Sequence, residues 1–487
     1  MHGGVMKRAV LLYSLLFVLL PLSSAAAADN IPVTTSSAEA RKLFIEGRTL
    51  VDNLRLTDAI GRFTKAVGKD PNFALAYLYL AQTAPTAKEF FAYVDKASGT
   101  ASHASKGEQL WIAGFRAGSL GDPETQRKKL AELVSMFPDD ERAQMLSGIF
   151  HFGQQEYETA AKEFERSIQL APRFAPAYNQ LGYVYRFLER YDDAGKTFRK
   201  YIALIPDDPN PYDSYAELLL KRGKFDEAIA QYRKALEIND HFANSFAGIA
   251  GALMYQGKYD EARAELRKAY TIARNDGEQR AALFNMAMTY LDEGNPEMGI
   301  KEFEKQYAIA GKAHDASAMS GDLTAIGNIQ LDMGRVDAAA SSFDKALSLI
   351  NGSNLAREVK DNAVLVNHYN LGRIALARKD LATAKEESDR FTQGARASKN
   401  IFQIRLAHEL AGMLALAEDR YVDAIDELTH GNQQNPYTLF RLALACQETG
   451  RKAEARKFAT DAAHFNSLPF TNYALVRQKA EKLLSAI

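Results

Sequence analysis

The chain has 487 residues, 47% of them hydrophobic and 25% charged, a balance that excludes a disordered polymer. Its 60 basic and 61 acidic side chains leave a net charge of -1, without the whole-molecule basic field of a nucleic-acid binder. A single cysteine, Cys446, excludes any intramolecular disulfide and every multi-cysteine metal or redox motif.

Residues 1–28 read as a secretory signal peptide. Lys7 and Arg8 form the charged start, Ala9 to Leu22 an apolar run interrupted by Ser14 and Pro21, and the small residues up to Ala28 a cleavage region. The apolar run is shorter than the roughly 20 residues a bilayer-spanning helix needs, so cleavage before Asp29 is expected, with no stable membrane anchor afterwards. A lipid anchor would need a cysteine at the cut, and none is there. The expected location is periplasmic or secreted. Residues 29–39 read as a short linker.

From Ala40 onward the chain repeats itself. Aligning "ERSIQLAPRF", "RKYIALIPDD" and "RKALEINDHF" gives a period of 34 residues, with units starting at Ala40, Ala74, Gly107, Glu141, Ala175, Pro209, Ala243, Arg280, Ser320, Leu365, Arg405 and Pro436. Each unit reads as two helices. Tyr178, Leu181 and Tyr185 share one helical face, and Ala194, Phe198 and Tyr201 another. Between the helices, Gly223, Gly257, Gly294, Gly334 and Gly450 mark a left-handed turn. Aspartates such as Asp193, Asp226 and Asp260 follow near the start of the second helix, and Pro71, Pro138, Pro172 and Pro206 stop it.

Two columns of small residues run through the units. The first helix carries only glycine or alanine at one position, from Gly47 and Ala81 through Gly148 and Gly182 to Gly412 and Ala443. The second helix carries Ala59, Ala160, Ala194, Ala228, Ala262 and Gly299. Small residues facing each other are expected to let the paired helices approach closely.

This pattern resembles the tetratricopeptide repeat, most fully over 141–279, where "NQLGYVYRFLERYDDAGKTF" and "AGALMYQGKYDEARAEL" fill nearly every family position. Residues 40–140 hold partly degenerate repeats, and "KASGTASHASKGEQ" within them reads as a polar loop. Residues 280–469 are stretched and divergent, and 470–487 read as a helix capping the last unit. The resemblance implies an all-α, right-handed solenoid superhelix of about twelve helix-turn-helix repeats, non-catalytic and binding a protein or peptide in its concave groove.

Chemical motifs yield only near misses. Gly195-Lys196-Thr197 lacks the earlier glycine of a phosphate loop, since Arg190 stands there. His408-Glu409 lacks the second zinc histidine, replaced by Gly412. No catalytic, cofactor or metal residue is assigned. His368 and His408 are expected to pack against a neighbouring unit, and Cys446 to be a buried thiol. First-helix residues pointing away from both columns form the candidate groove: Asn179, Tyr183, Arg186, Asp213, Glu217, Tyr255, Phe284, Asn285, Met288, Asn328, Tyr369, Asn370 and Arg373. The family's two-carboxylate clamp is rejected. Asn328 and Asn370 match two of its asparagines, but Thr324, Leu406 and Leu410 stand where its cations would be. The function expected is a scaffold of the bacterial envelope; the alternatives are an envelope polymer hydrolase and a small-ligand receptor.

Overall fold

The computed structural model describes residues 30–487, so the signal-peptide reading of 1–28 lies outside the described residues. Helices α1 (Ala38–Asp52) to α6 form the first three pairs: α2 (Leu56–Lys69), α3 (Ala74–Thr83), α4 (Ala87–Thr100), α5 (Lys106–Ser119) and α6 (Pro123–Met136). The regular units follow as α7 (Glu141–Gly153), α8 (Tyr157–Leu170), α9 (Ala175–Phe187), α10 (Tyr191–Leu204), α11 (Asn210–Lys221), α12 (Phe225–Ile238), α13 (Ala243–Tyr255) and α14 (Tyr259–Ile272). Longer helices come next: α15 (Asp276–Glu293), α16 (Pro296–Lys312), α17 (Ala316–Asp332), α18 (Val336–Asn351), α19 (Arg357–Ala377), α20 (Leu381–Ser398) and α21 (Ile401–Ala417). The chain ends with α22 (Tyr421–His430), α23 (Pro436–Glu448), α24 (Lys452–Ala463) and α25 (Thr471–Ala486). These are twelve pairs and one final helix, a solenoid with no strand among the described residues.

The turn between paired helices is left-handed whether or not glycine occupies it. Gly223, Gly257, Gly294, Gly334 and Gly450 have φ between +70° and +87°, and Leu54, Gln155, Glu189, Lys379 and Asp419 take φ of 54° to 61° at the same place in their units. The second helices α10, α12 and α14 start on Arg190, Lys224 and Lys258, which make no side-chain cap. The aspartates sit inside the first turn instead, where a carboxylate suits the free amides.

The small-residue columns also do something that the sequence reading did not expect. A Cβ on Gly182 would lie 2.5 Å from Phe198 Cε1, and one on Gly148 2.7 Å from Phe164 Cε1. There the glycine makes room for the phenylalanine one turn beyond the facing alanine and seats its ring, whereas Gly299 of the second column does face Ala287 of the first, whose carbonyl oxygen would lie 3.5 Å from its Cβ.

Other details also depart from the sequence reading. The stretch expected as a polar loop is mostly helical. It ends α4, forms a 3-10 turn at Ala101–His103 and begins α5, where Ser105 and Glu108 build a reciprocal cap. The divergent units lengthen by adding helix: α15, α17, α19 and α21 begin four to eight residues before the expected starts at Arg280, Ser320, Leu365 and Arg405. The linker is bound. The Ile31 amide donates to Asp140, Thr34 to Glu108 and Ser36 to Asp70, so the segment straps the loop before α3 and the starts of α5 and α7.

The coil closes on itself. Thr57 bonds Glu278 at 2.7 Å, Glu124 pairs with Lys399 at 2.9 Å, and Gln155 bonds Asn432 at 3.2 Å. Each contact joins units seven apart, so successive turns of the superhelix touch. The chain's end then turns inward. Helix α25 packs on α24 as a cap but also lies against α15, with Ala474 and Leu475 among Met288, Leu291 and Ile326.

Candidate functional site

Stacking on a 34-residue repeat brings equivalent first-helix positions of adjacent units together. Tyr183 therefore meets Glu217, 34 residues on, and its hydroxyl donates to the carboxylate at 2.8 Å. Arg186 pairs with the other oxygen at 3.2 Å, and Ser245 donates to Asp213 at 2.7 Å. Asn179 and Asp213 are both 3% exposed, and the Asn179 side-chain oxygen has no partner. Burial, with the Glu217 charge beside it, pushes the Asp213 carboxyl well above the usual carboxylate range. Tyr183, Arg186 and Glu217 thus form a half-buried polar cluster, Asp213 a buried pair with Ser245, and the Asn179 oxygen is buried without a partner, structural roles where the sequence reading placed a free groove surface.

A second group is covered by the chain's own end. The Tyr255 hydroxyl donates to the Ser467 carbonyl at 2.5 Å and its ring lies 5.6 Å from that of Tyr473. Met288 is fully buried and Phe284 packs in the same cluster as Ala474 and Leu475. Asn285 is spent on the Ala281 carbonyl of its own helix. The lock is electrostatic as well as apolar: Arg477 donates to both oxygens of the buried Asp292 at 2.6 and 2.5 Å, and Lys479 reaches Asp332 at 2.5 Å. Sequence reasoning did not foresee this occupant. The signal available was the mixture of aromatics and cations in "FTNYALVRQK", richer than a cap on one unit requires.

The remaining candidates come together at a cavity of about 280 Å³. Asn328, Tyr369 and Arg373 line it with Tyr437, Arg441 and Asn472. Arg373 donates to Asn328 at 2.7 Å and lies over the Tyr369 ring at 5.4 Å, while Asn370 beside them is buried. Glu409 closes the floor. It is 1% exposed and accepts from the Asn435 amide at 3.2 Å, and burial raises its pKa against the pull of Arg441. Arg186 and Glu217 also reach a larger cavity of about 710 Å³ on the other side of the C-terminal segment.

His368 and His408 make a contact that the packing expectation did not include. Each Nδ1 meets a glutamate of its own second helix, Glu387 at 2.6 Å and Glu427 at 2.7 Å. Cys446 is buried, which raises its thiol pKa, and Gly195 to Thr197 lie within α10. Among the described residues no group of three or more His, Cys, Asp or Glu could hold a metal, and no helix is long and apolar enough to cross a membrane.

Paired antiparallel helices in a closed coil, with a polar seam between units, define an α-solenoid of interaction-scaffold type. Profiles described as tetratricopeptide repeat match residues 116–173, 173–240, 219–283, 281–312 and 323–352, and the chain is a tetratricopeptide-repeat protein. Similar solved structures include MamA protein, 20% identical over 34% of this chain and 91% of that one, with a TM-score of 0.29. A tetratricopeptide repeat protein from Parabacteroides merdae ATCC 43184 is 16% identical over 56% and 94%, with a TM-score of 0.36. YrrB, a TPR protein with an unusual peptide-binding site, is 20% identical over 37% and 91%, with a TM-score of 0.26. No curated protein sequence matches the chain.

Proposed function

We propose that this protein is exported and serves as a non-catalytic scaffold of the bacterial cell envelope, holding an extended segment of a protein partner at the cavity of Asn328, Tyr369 and Arg373. The observation that carries the reading is that these three converge with Tyr437, Arg441 and Asn472 on open space. Asn328 and Asn472 can bond a peptide main chain, Arg373 and Arg441 its carbonyls or a carboxylate, and Tyr369 and Tyr437 supply contact area. The leader-like start of the chain supports export.

A photo-crosslinking residue placed at Leu376 is expected to trap one defined partner, and Tyr369→Ala with Arg373→Ala to abolish the adduct without unfolding the protein. An adduct that survives both substitutions sinks this site. Export is read separately, as a periplasmic chain whose first residue is Asp29; a cytosolic chain beginning at Met1 overturns it.

A further inference from the structure

The larger cavity, of about 710 Å³, exists because the coil closes. Its walls are contributed by Phe152, Tyr157 and Phe187 from one turn and Phe458, Phe465 and Phe470 from the other. Tyr157 and Phe187 stack with centroids 5.2 Å apart at 16°, giving one flat wall. The volume falls in the range of small-molecule sites, about 300–1,000 Å³.

The charges lining it are mostly matched. Arg186 is paired with Glu217 at 3.2 Å and Lys457 with Asp461 at 3.0 Å. Lys221 is different. Its ammonium donates to the Phe465 carbonyl at 2.7 Å and sits 4.2 Å from the centre of that ring, with no carboxylate in ion-pair range among the described residues. Burial, reinforced by Arg186, pushes its pKa down to about 8. A desolvated cation bonded only to a carbonyl and a ring is short of an anion.

We propose that this cavity is a binding site for a small organic carboxylate with a flat or chain-like apolar body, the body lying between Phe187 and Phe465 and the carboxylate on the Lys221 ammonium. A cationic ligand would set a second positive charge beside the Lys221 ammonium. A neutral one would leave Lys221 uncompensated. Glu189 at the rim and Asp461 inside disfavour a dianion such as a phosphate monoester, so a single negative charge fits. The site is separate from the Asn328, Tyr369 and Arg373 cavity, and either can fail without the other.

The test is calorimetric titration of the full mature chain with decanoate and phenylacetate, against decanol and phenylacetamide as neutral counterparts. Saturable binding at one site is expected for at least one acid, with its neutral counterpart weaker by about tenfold or more, a difference of about 1.4 kcal/mol. Lys221→Gln keeps a donor for the Phe465 carbonyl and is expected to remove that preference for the acid, while Lys196→Gln, on the exposed face of α10, leaves it intact. Equal binding of acid and neutral partner, an unchanged preference in Lys221→Gln, or no saturable binding of either acid overturns the proposal. If Lys221→Gln does not fold, the wild-type chain gives the same answer by acylation. The binding acid should protect Lys221 from an amine-reactive ester, read by mass spectrometry of its peptide, and its neutral counterpart should not. Protection by neither, or equally by both, refutes the assignment.

Discussion

Asp213 shows how a repeat creates chemistry no single unit contains. Its column places it beside Glu217 in a site with 3% exposure, and the arginine nearby is already shared with Glu217. Burial, with the Glu217 charge beside it, keeps the Asp213 proton, so its folded pKa lies above its unfolded value. Between those values the native state holds a proton that the unfolded chain has lost. The stability contributed is therefore complete below the unfolded pKa of about 3.9 and is lost as pH rises through the folded pKa. Asp213→Asn keeps an acceptor for Ser245 and removes this slope. Denaturant unfolding is expected to show the variant gaining on the wild type as pH rises from about 5 to about 8, by at most about 1.4 kcal/mol per pH unit. Parallel pH profiles would show that Asp213 is ionised in the native protein.

At the scale of the helix pair, what could be read from sequence was what repeats locally. The glycine turns, the stopping prolines and the small-residue columns each follow from one unit's own chemistry, and the twelve pairs stand at or near the expected positions. Contact geometry was less legible, because a column of glycine and alanine does not say which atoms fill the space it leaves. Gly182 and Gly61 separate the possibilities. Gly182→Ala drives a methyl group to 2.5 Å from the Phe198 ring and is expected to cost about 1–3 kcal/mol. Gly61, within α2, has nothing within 4 Å of its would-be Cβ, so Gly61→Ala should stabilise by about 0.5–1 kcal/mol. Melting curves of the two variants shifting in the same direction would contradict this account. The candidate groove was misjudged for a related reason. Facing away from one's own packing columns does not leave a residue free: Tyr183 and Asp213 meet the next unit, and for Tyr255 and Met288 the space holds the C-terminal segment.

At the scale of the whole molecule, the closed coil depends on contacts between residues far apart in sequence, which no period reveals. Arg477 and Asp292 are 185 residues apart, and the Asp292 side chain has no exposure to solvent. Removing the arginine would leave a buried carboxylate unpaired, so Arg477→Ala is expected to lower stability by about 3–5 kcal/mol, read by chemical denaturation. A loss under about 1 kcal/mol, typical of an exposed ion pair, would mean that the segment holds the coil only loosely. Linear arrays of repeats share energy with their nearest neighbours alone, and so fray from their ends. Here the Thr57–Glu278, Glu124–Lys399 and Gln155–Asn432 contacts tie the first, third and fourth units to those seven places on, and the N-terminal strap ties down the first units. Such cross-links turn a one-dimensional chain of coupled units into a two-dimensional sheet of them rolled into a tube. Cooperativity then spreads around the circumference as well as along the axis. Amide exchange should accordingly give the terminal units protection close to that of the middle ones, with the array melting as one body.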